Sequence, residues 1–280
     1  MIVFRRILSD WILWLGMFSI IVLGGAFYLV LGRGIESSVT EQILRQEQII
    51  SRAEASNISS FFQTFGNLVV VLSQLSSIEA RDVNAVRDLD TFVKQQYETG
   101  FIGGVVLTDK NGVVQFNSNV LGTRDVGGSI ADRDYFIWAK TEGEKGKYFI
   151  SEPVVSQMGA TKGTAIVVVA APVYQNGAFT GVIAAAVKLE SLTNYFFGLM
   201  KISDLTEVYL IDEHGKLLYS HAVPQQIGSN ISELFSGNQP LVGSIKNALS
   251  GTEEGKLQTE THLIAYSPVI LGTQIPFRKW

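Results

Sequence analysis

The chain has 280 residues, with 26 acidic side chains against 22 basic ones, a net charge of −4 and no cysteine. That balance gives no electrostatic case for nucleic acid, and the lack of cysteine excludes disulfide staples, thiolate metal sites and a cysteine nucleophile. Residues 33–280 are enough for one large domain or two small ones.

Residues 11–31 (WILWLGMFSIIVLGGAFYLVL) carry no charge. At about 1.5 Å per helical residue they reach roughly 30 Å, the hydrocarbon thickness of a bilayer. Arg5 and Arg6 precede the run, whereas Arg33, Glu36 and Glu41 after it are mixed in sign. The positive-inside rule therefore places residues 1–10 in the cytoplasm, spans the membrane with 11–32 and exports the rest. A cleaved signal peptide has an apolar region of only about 7–15 residues, so a retained anchor is expected.

From 33 to 77 the pattern predicts one long stalk helix without proline. Ile58, Phe61, Phe65, Leu68, Leu72 and Leu75 make its apolar stripe, and a thinner stripe (Ile35, Val39, Ile43, Ile50) lies nearer the membrane. That thinner stripe is open to two readings, a core-facing helix or the seam of a parallel homodimer. Asp82 is placed to cap a second helix to about Tyr97, with Val83, Val86, Leu89, Phe92 and Val93 inward.

The period then changes to two. Residues 101–108 read as a strand, Asp109-Lys110-Asn111-Gly112 as a tight turn and 113–117 as its hairpin partner. A glycine-rich loop leads to a short helix over 133–140. Further strands are expected around 148–155, 165–173 and 178–188, the last two joined at Gln175-Asn176-Gly177. Hairpin-linked strands interleaved with helices point to an antiparallel sheet packed on helices, an α+β fold.

The chain then repeats itself. Residues 105–112 (VVLTDKNG) return as 208–215 (VYLIDEHG), and Ala171-Pro172-Val173 is echoed by Ser267-Pro268-Val269, with a helix over 192–200 between the copies. Two related modules are expected, over 78–201 and 202–280, with the boundary near 201–205. After Pro268-Val269 only Ile270 to Trp280 remain, so the second copy is expected to be incomplete, with a further span either lying beyond Trp280 or lost.

In order, 105–112, Asp132-Arg133-Asp134-Tyr135-Phe136, 148–153 (YFISEP), 171–174 (APVY) and the strand from Gly181 to Leu189 resemble the double Cache sensor family, whose modules are PAS-like. The resemblance covers about residues 35–267. It implies a transmembrane helix and stalk followed by two such modules, serving as the extracytoplasmic input of a bacterial chemoreceptor, sensor histidine kinase or diguanylate cyclase. It also implies that a small molecule binds the first, membrane-distal module.

Arg133, Tyr135, Trp138, Tyr148 and Ser151 are the candidate ligand contacts, because an arginine fork grips a carboxylate best where aromatic walls exclude water. The alternative is that the aromatics plug the sheet while Arg133 pairs with Asp132 or Asp134. Amino-acid-binding members of the family carry Arg-x-Trp-Tyr and an amine-binding aspartate in the last strand. This chain has Arg133-Asp134-Tyr135-Phe136, and its last strand ends in 184–188 (AAAVK), so a small carboxylate or neutral metabolite is expected rather than an amine. No cofactor, metal or catalytic residue is expected. The three histidines show no ligand spacing, and the Asp-rich turns at 109–112 and 212–215 lack the later ligands of calcium loops.

Overall fold

The computed structural model describes residues 2–198, 206–251, 253–259, 262–272 and 278–280. Its first element, α1, is a single helix over Ile2–Ser73. A window in it with mean hydropathy 1.8 is long and apolar enough to cross a membrane and is wholly unburied. Trp14, Phe18, Ile20 and Tyr28 are all exposed there. The helix ends at Ser73, short of the expected 77, where the amides of Gln74 and Leu75 tighten onto Val71 and Leu72.

The packing stripe of α1 is Ala55, Ile58, Phe62, Phe65, Val69 and Leu72, all buried. It shares Ile58, Phe65 and Leu72 with the expected stripe but is rotated so that Phe62 and Val69 point inward. Phe61 is half-buried, edge-on to Phe101, and Leu68 is exposed. A short helix α2 (Ser76–Ala80) leads to α3 (Asn84–Tyr97). Asp82 Oδ1 accepts the Asn84 amide at 2.7 Å, so the helix begins after Val83. Val83 is therefore 91% exposed rather than inward, and Ala85, Leu89, Phe92 and Val93 form the buried face.

The next elements are β1 (Ile102–Thr108), β2 (Val114–Asn119), α4 (Asp134–Thr141), β3 (Phe149–Ile150), β4 (Val154–Val155), β5 (Ala165–Gln175) and β6 (Ala178–Lys188). They form a six-stranded antiparallel sheet in the order β2-β1-β6-β5-β3, with β4 also paired to β5. The single strand expected over 148–155 is two short ones. Pro153 cannot donate to a ladder, and beside it the Ser151 hydroxyl bonds the backbone, accepting the Val168 amide at 2.9 Å and donating to the Glu152 carbonyl at 2.6 Å.

Alternation sends successive residues to opposite sides of the sheet. Val105, Leu107, Val167, Val169, Ile183 and Val187 face α1 and join its core; Ile166, Val168, Ala170, Val182 and Ala184 face α4, packing on Tyr135, Phe136 and Ala139.

The chain continues with α5 (Leu189–Phe197), β7 (Tyr209–Ile211), β8 (Leu217–Ser220), α6 (Ile231–Leu234), α7 (Gln239–Ser250), β9 (Gly255–Gln258), β10 (Leu263–Tyr266), β11 (Ile270–Leu271) and β12 (Arg278–Lys279). The expected module boundary near 201–205 lies outside the described residues. The repeat is visible in the hydrogen bonds. Asp109 Oδ1 accepts the amides of Asn111 and Val113, as Asp212 Oδ1 accepts those of His214 and Lys216. Ile130 then donates to the Gly112 carbonyl as Ile231 does to that of Gly215. Both acidic turns thus use a carboxylate oxygen on their own backbone, which is what Asx turns require. Leu210, Leu218, Tyr219, Leu271 and Trp280 enter the same core as α1, so both halves of the chain pack on one helix.

Candidate functional site

A cavity of about 70 Å³ lies on the sheet face opposite α1. Its floor is made by β1 and β6, where Gly104, Val106, Ala184 and Ala186 fall on one face. Three of those four side chains are a methyl group or less, and the space they leave is not filled by α4. The roof is the loop after β4, from Ser156 through a 3₁₀ turn at Gly159–Thr161. That roof sits close: a Cβ on Gly103 would lie 1.9 Å from the Thr161 Cγ2 methyl group.

One wall is polar. Asn117 and Asn119 alternate on β2 and project to the cavity side, where their amides build the loop that follows. Asn119 Nδ2 donates to the Thr123 carbonyl at 2.7 Å and to Asn117 Oδ1 at 3.1 Å, and Asn117 Nδ2 donates to the Asp125 carbonyl at 3.1 Å. Asp125 in turn accepts the Gly159 amide at 2.9 Å, which ties that loop to the roof. Within the roof, Thr161 donates to Ser156 at 2.9 Å and Ser156 to the Met158 carbonyl at 3.0 Å.

The opposite wall is the start of α4. Arg133 stands at the N-cap in an extended conformation, and Tyr135 lies in the first turn. Both line the cavity. Arg133, 23% exposed, comes no nearer to a carboxylate than 3.9 Å, from its Nε to Asp132 Oδ1. This is beyond hydrogen-bond length. Burial pushes the Tyr135 phenol well above its ordinary value; Arg133 opposes that rise, and Asp134 and Asp132 add to it. The phenol is therefore a proton donor, as is the guanidinium. Among the described residues, Arg133 is the only charged one lining the cavity.

The other expected contacts lie elsewhere. Trp138 is on α4 but stacks on Phe149, with ring centroids 5.3 Å apart, outside the cavity lining. Tyr148 precedes β3 on the α1 side. Its ring lies so near Gly66 that a Cβ there would come within 2.4 Å of it. Ser151 is fully buried and spends its hydroxyl on the backbone, as described above. Of the five, the fold brings Arg133 and Tyr135 together at the cavity, and Trp138, Tyr148 and Ser151 lie outside its lining. Asn117, Asn119 and the roof were not anticipated, although asparagines two apart in a strand otherwise rich in buried residues are a readable sign of a polar face.

Among the described residues, Glu152, Glu213 and His214 are grouped closely enough to hold a cation. The two glutamates flank Arg278, whose Nη1 is 2.9 Å from Glu152 Oε1 and 3.7 Å from Glu213 Oε1.

Among curated protein sequences none matches the chain. Solved structures do. An extracellular ligand-binding receptor from Desulfohalobium retbaense DSM5692 superposes with a TM-score of 0.62 at 15% identity, over 81% of this chain and 38% of that one, so this chain spans well under half of that receptor. The ligand-binding domain of the Pseudomonas aeruginosa PAO1 amino acid chemoreceptor PctC, in complex with GABA, gives 0.59 at 18% identity, over 85% and 97%. That of the Pseudomonas fluorescens chemoreceptor CtaA, in complex with L-leucine, gives 0.61 at 15% identity, over 87% and 94%. At these identities the likeness is one of fold. The Cache-domain family profile matches residues 35–280, and with the six-stranded sheet and duplicated hairpin already described, the chain belongs to the Cache-domain family.

Proposed function

We propose that this chain is the small-molecule-sensing input region of a bacterial transmembrane signalling protein. Its N-terminus lies in the cytoplasm and its two modules outside the inner membrane. The ligand site is the distal cavity, with Arg133 and Tyr135 as the contacts, and the ligand is a small carboxylate. The observation that carries this reading is the cavity's donor set. A guanidinium and a protonated phenol converge there, and the ion pair of the guanidinium with Asp132, at 3.9 Å, is longer than a hydrogen bond, which suits a second acceptor with negative charge.

Size supports the same class. A water fills roughly 10–15 Å³ on this measure, so the cavity takes a molecule of about half a dozen non-hydrogen atoms. Two of the related domains named above hold amino acids, GABA and L-leucine, whose ammonium group needs a carboxylate or carbonyl partner. Among the described residues no acidic one lines this cavity. A carboxylate without an ammonium group is therefore favoured. We read the region as a binding module, since burial holds the Tyr135 phenol protonated as a hydrogen-bond donor beside the Arg133 guanidinium.

Signalling would follow from a population shift. Ligand closing the roof onto α4 biases the packing of the sheet on α1, and α1 runs unbroken into the membrane segment. The exposed Ile35, Val39 and Ile43 support pairing of the stalk with a second copy. The test is thermal melting of the full chain in detergent with propionate, propylamine and alanine, which present a carboxylate, an ammonium and both. Ligand at about 100 times its Kd adds about 2.7 kcal/mol of apparent stability. Propionate should raise the melting temperature and propylamine should not; equal stabilisation by both, or none by propionate, acetate, lactate or pyruvate, overturns the proposal.

A further inference from the structure

Asp134 follows Arg133 directly and carries the opposite charge, so, alongside Asp132, whose Oδ1 lies 3.9 Å from Arg133 Nε, it is a competitor for the guanidinium that the cavity needs. The fold gives both of its oxygens other partners. Oδ1 accepts the Tyr135 amide at 2.8 Å, and Oδ2 accepts from Arg278 Nη2 at 3.1 Å.

Arg278 comes from β12, at the far end of the chain. Its guanidinium also bonds Glu152 through Nη1 at 2.9 Å and lies over the Phe149 ring, 5.2 Å from the centroid. The side chain is only 20% exposed. Shared carboxylates and a ring contact make this a network rather than a lone surface pair, which is the case in which such contacts count. The same strand is fastened to α1. Trp280 and Val269 exchange both backbone hydrogen bonds, the Trp280 ring meets Phe62 edge-on at 5.4 Å, and the Ile270 amide donates to Ser59 Oγ at 3.1 Å.

We propose that Arg278 is a positioning residue for the distal cavity: by holding the Asp134 carboxylate it leaves Arg133 free for ligand, and so ties the cavity's affinity to the seating of β12 on α1. This rests on Arg133 being the ligand-binding group. Coupling is reciprocal, so a ligand that needs Arg133 free also favours β12 in its seated position. A partly exposed ion pair couples by up to about 1 kcal/mol, or roughly fivefold in an equilibrium.

The test reads Arg133 directly. Phenylglyoxal modification of Arg133 in the full chain is followed by peptide mass spectrometry in wild type, Arg278→Gln, Asp134→Asn and the double variant. Arg278→Gln should slow modification about fivefold, because the released Asp134 carboxylate covers Arg133. Asp134→Asn should leave the rate unchanged, and the double variant should recover it. An unaltered rate in a folded Arg278→Gln protein, or a double variant as slow as the single, overturns the proposal. If Arg278→Gln does not fold, Arg278→Lys keeps the charge without the fork, and a slowing that Asp134→Asn removes is still required. Propionate affinity should fall and recover in the same pattern. Failure of wild type to bind propionate would count against the carboxylate reading alone, because the modification rates judge Arg278 independently.

Discussion

The two faces of the six-stranded sheet are made from alternate residues of the same strands, yet one is packed solid and the other holds a cavity. Toward α1, β6 presents Ile183, Ala185 and Val187, and β5 presents Val167, Val169 and Val173, against Phe62 and Phe65. Away from α1, β6 presents Val182, Ala184 and Ala186, and β1 presents Gly104 and Val106. The difference is a matter of volume at a few positions. Branched side chains meeting phenylalanines from a helix interdigitate at native density, whereas glycine and alanine beneath a loop leave space no neighbour fills. A single residue step therefore separates the groups that hold this molecule together from those that give it a site.

That contrast can be broken most severely on the packed side. Phe62→Ala removes a fully buried ring that also meets Trp280, and should cost about 3–5 kcal/mol, read as a lowered denaturant midpoint. The reciprocal change sharpens it. Ala186→Leu adds volume to the cavity floor, where the overpacking cost of about 1–3 kcal/mol found in filled cores should be absent. Its unfolding midpoint should stay near that of wild type while propionate binding is lost. A large destabilisation with binding retained would show that this face is packed like the other.

Much of this was legible in the sequence. The uncharged run, the long helix, the Asp-x-Asn-Gly hairpin and its second copy each rest on local chemistry, namely hydropathy, helical period and turn geometry, and those do not depend on distant residues. Parity was the harder matter. Alternation says that Tyr148 and Ile150 share a face and that Phe149 takes the other, but not which face meets the helix. Gly66, 82 positions before Tyr148, settles this by leaving room for the ring. The backbone bonds of the Ser151 hydroxyl were unreadable for a related reason, since the amide it accepts, that of Val168, lies on another strand. That Asp132 and Asp134 both rival a ligand for Arg133 was readable, because both are adjacent, but the hold of Arg278 on Asp134 depends on a contact across almost the whole second module.

The central claim is that Arg133 is the charge that receives a ligand carboxylate. The most direct measurement is the propionate dissociation constant of the full chain and of Arg133→Ala, by calorimetry at fixed salt. A hydrogen bond to a charged group is worth about 1.5–3 kcal/mol, so the substitution should weaken binding by about 10- to 150-fold. Undiminished affinity in a folded Arg133→Ala protein would contradict the account.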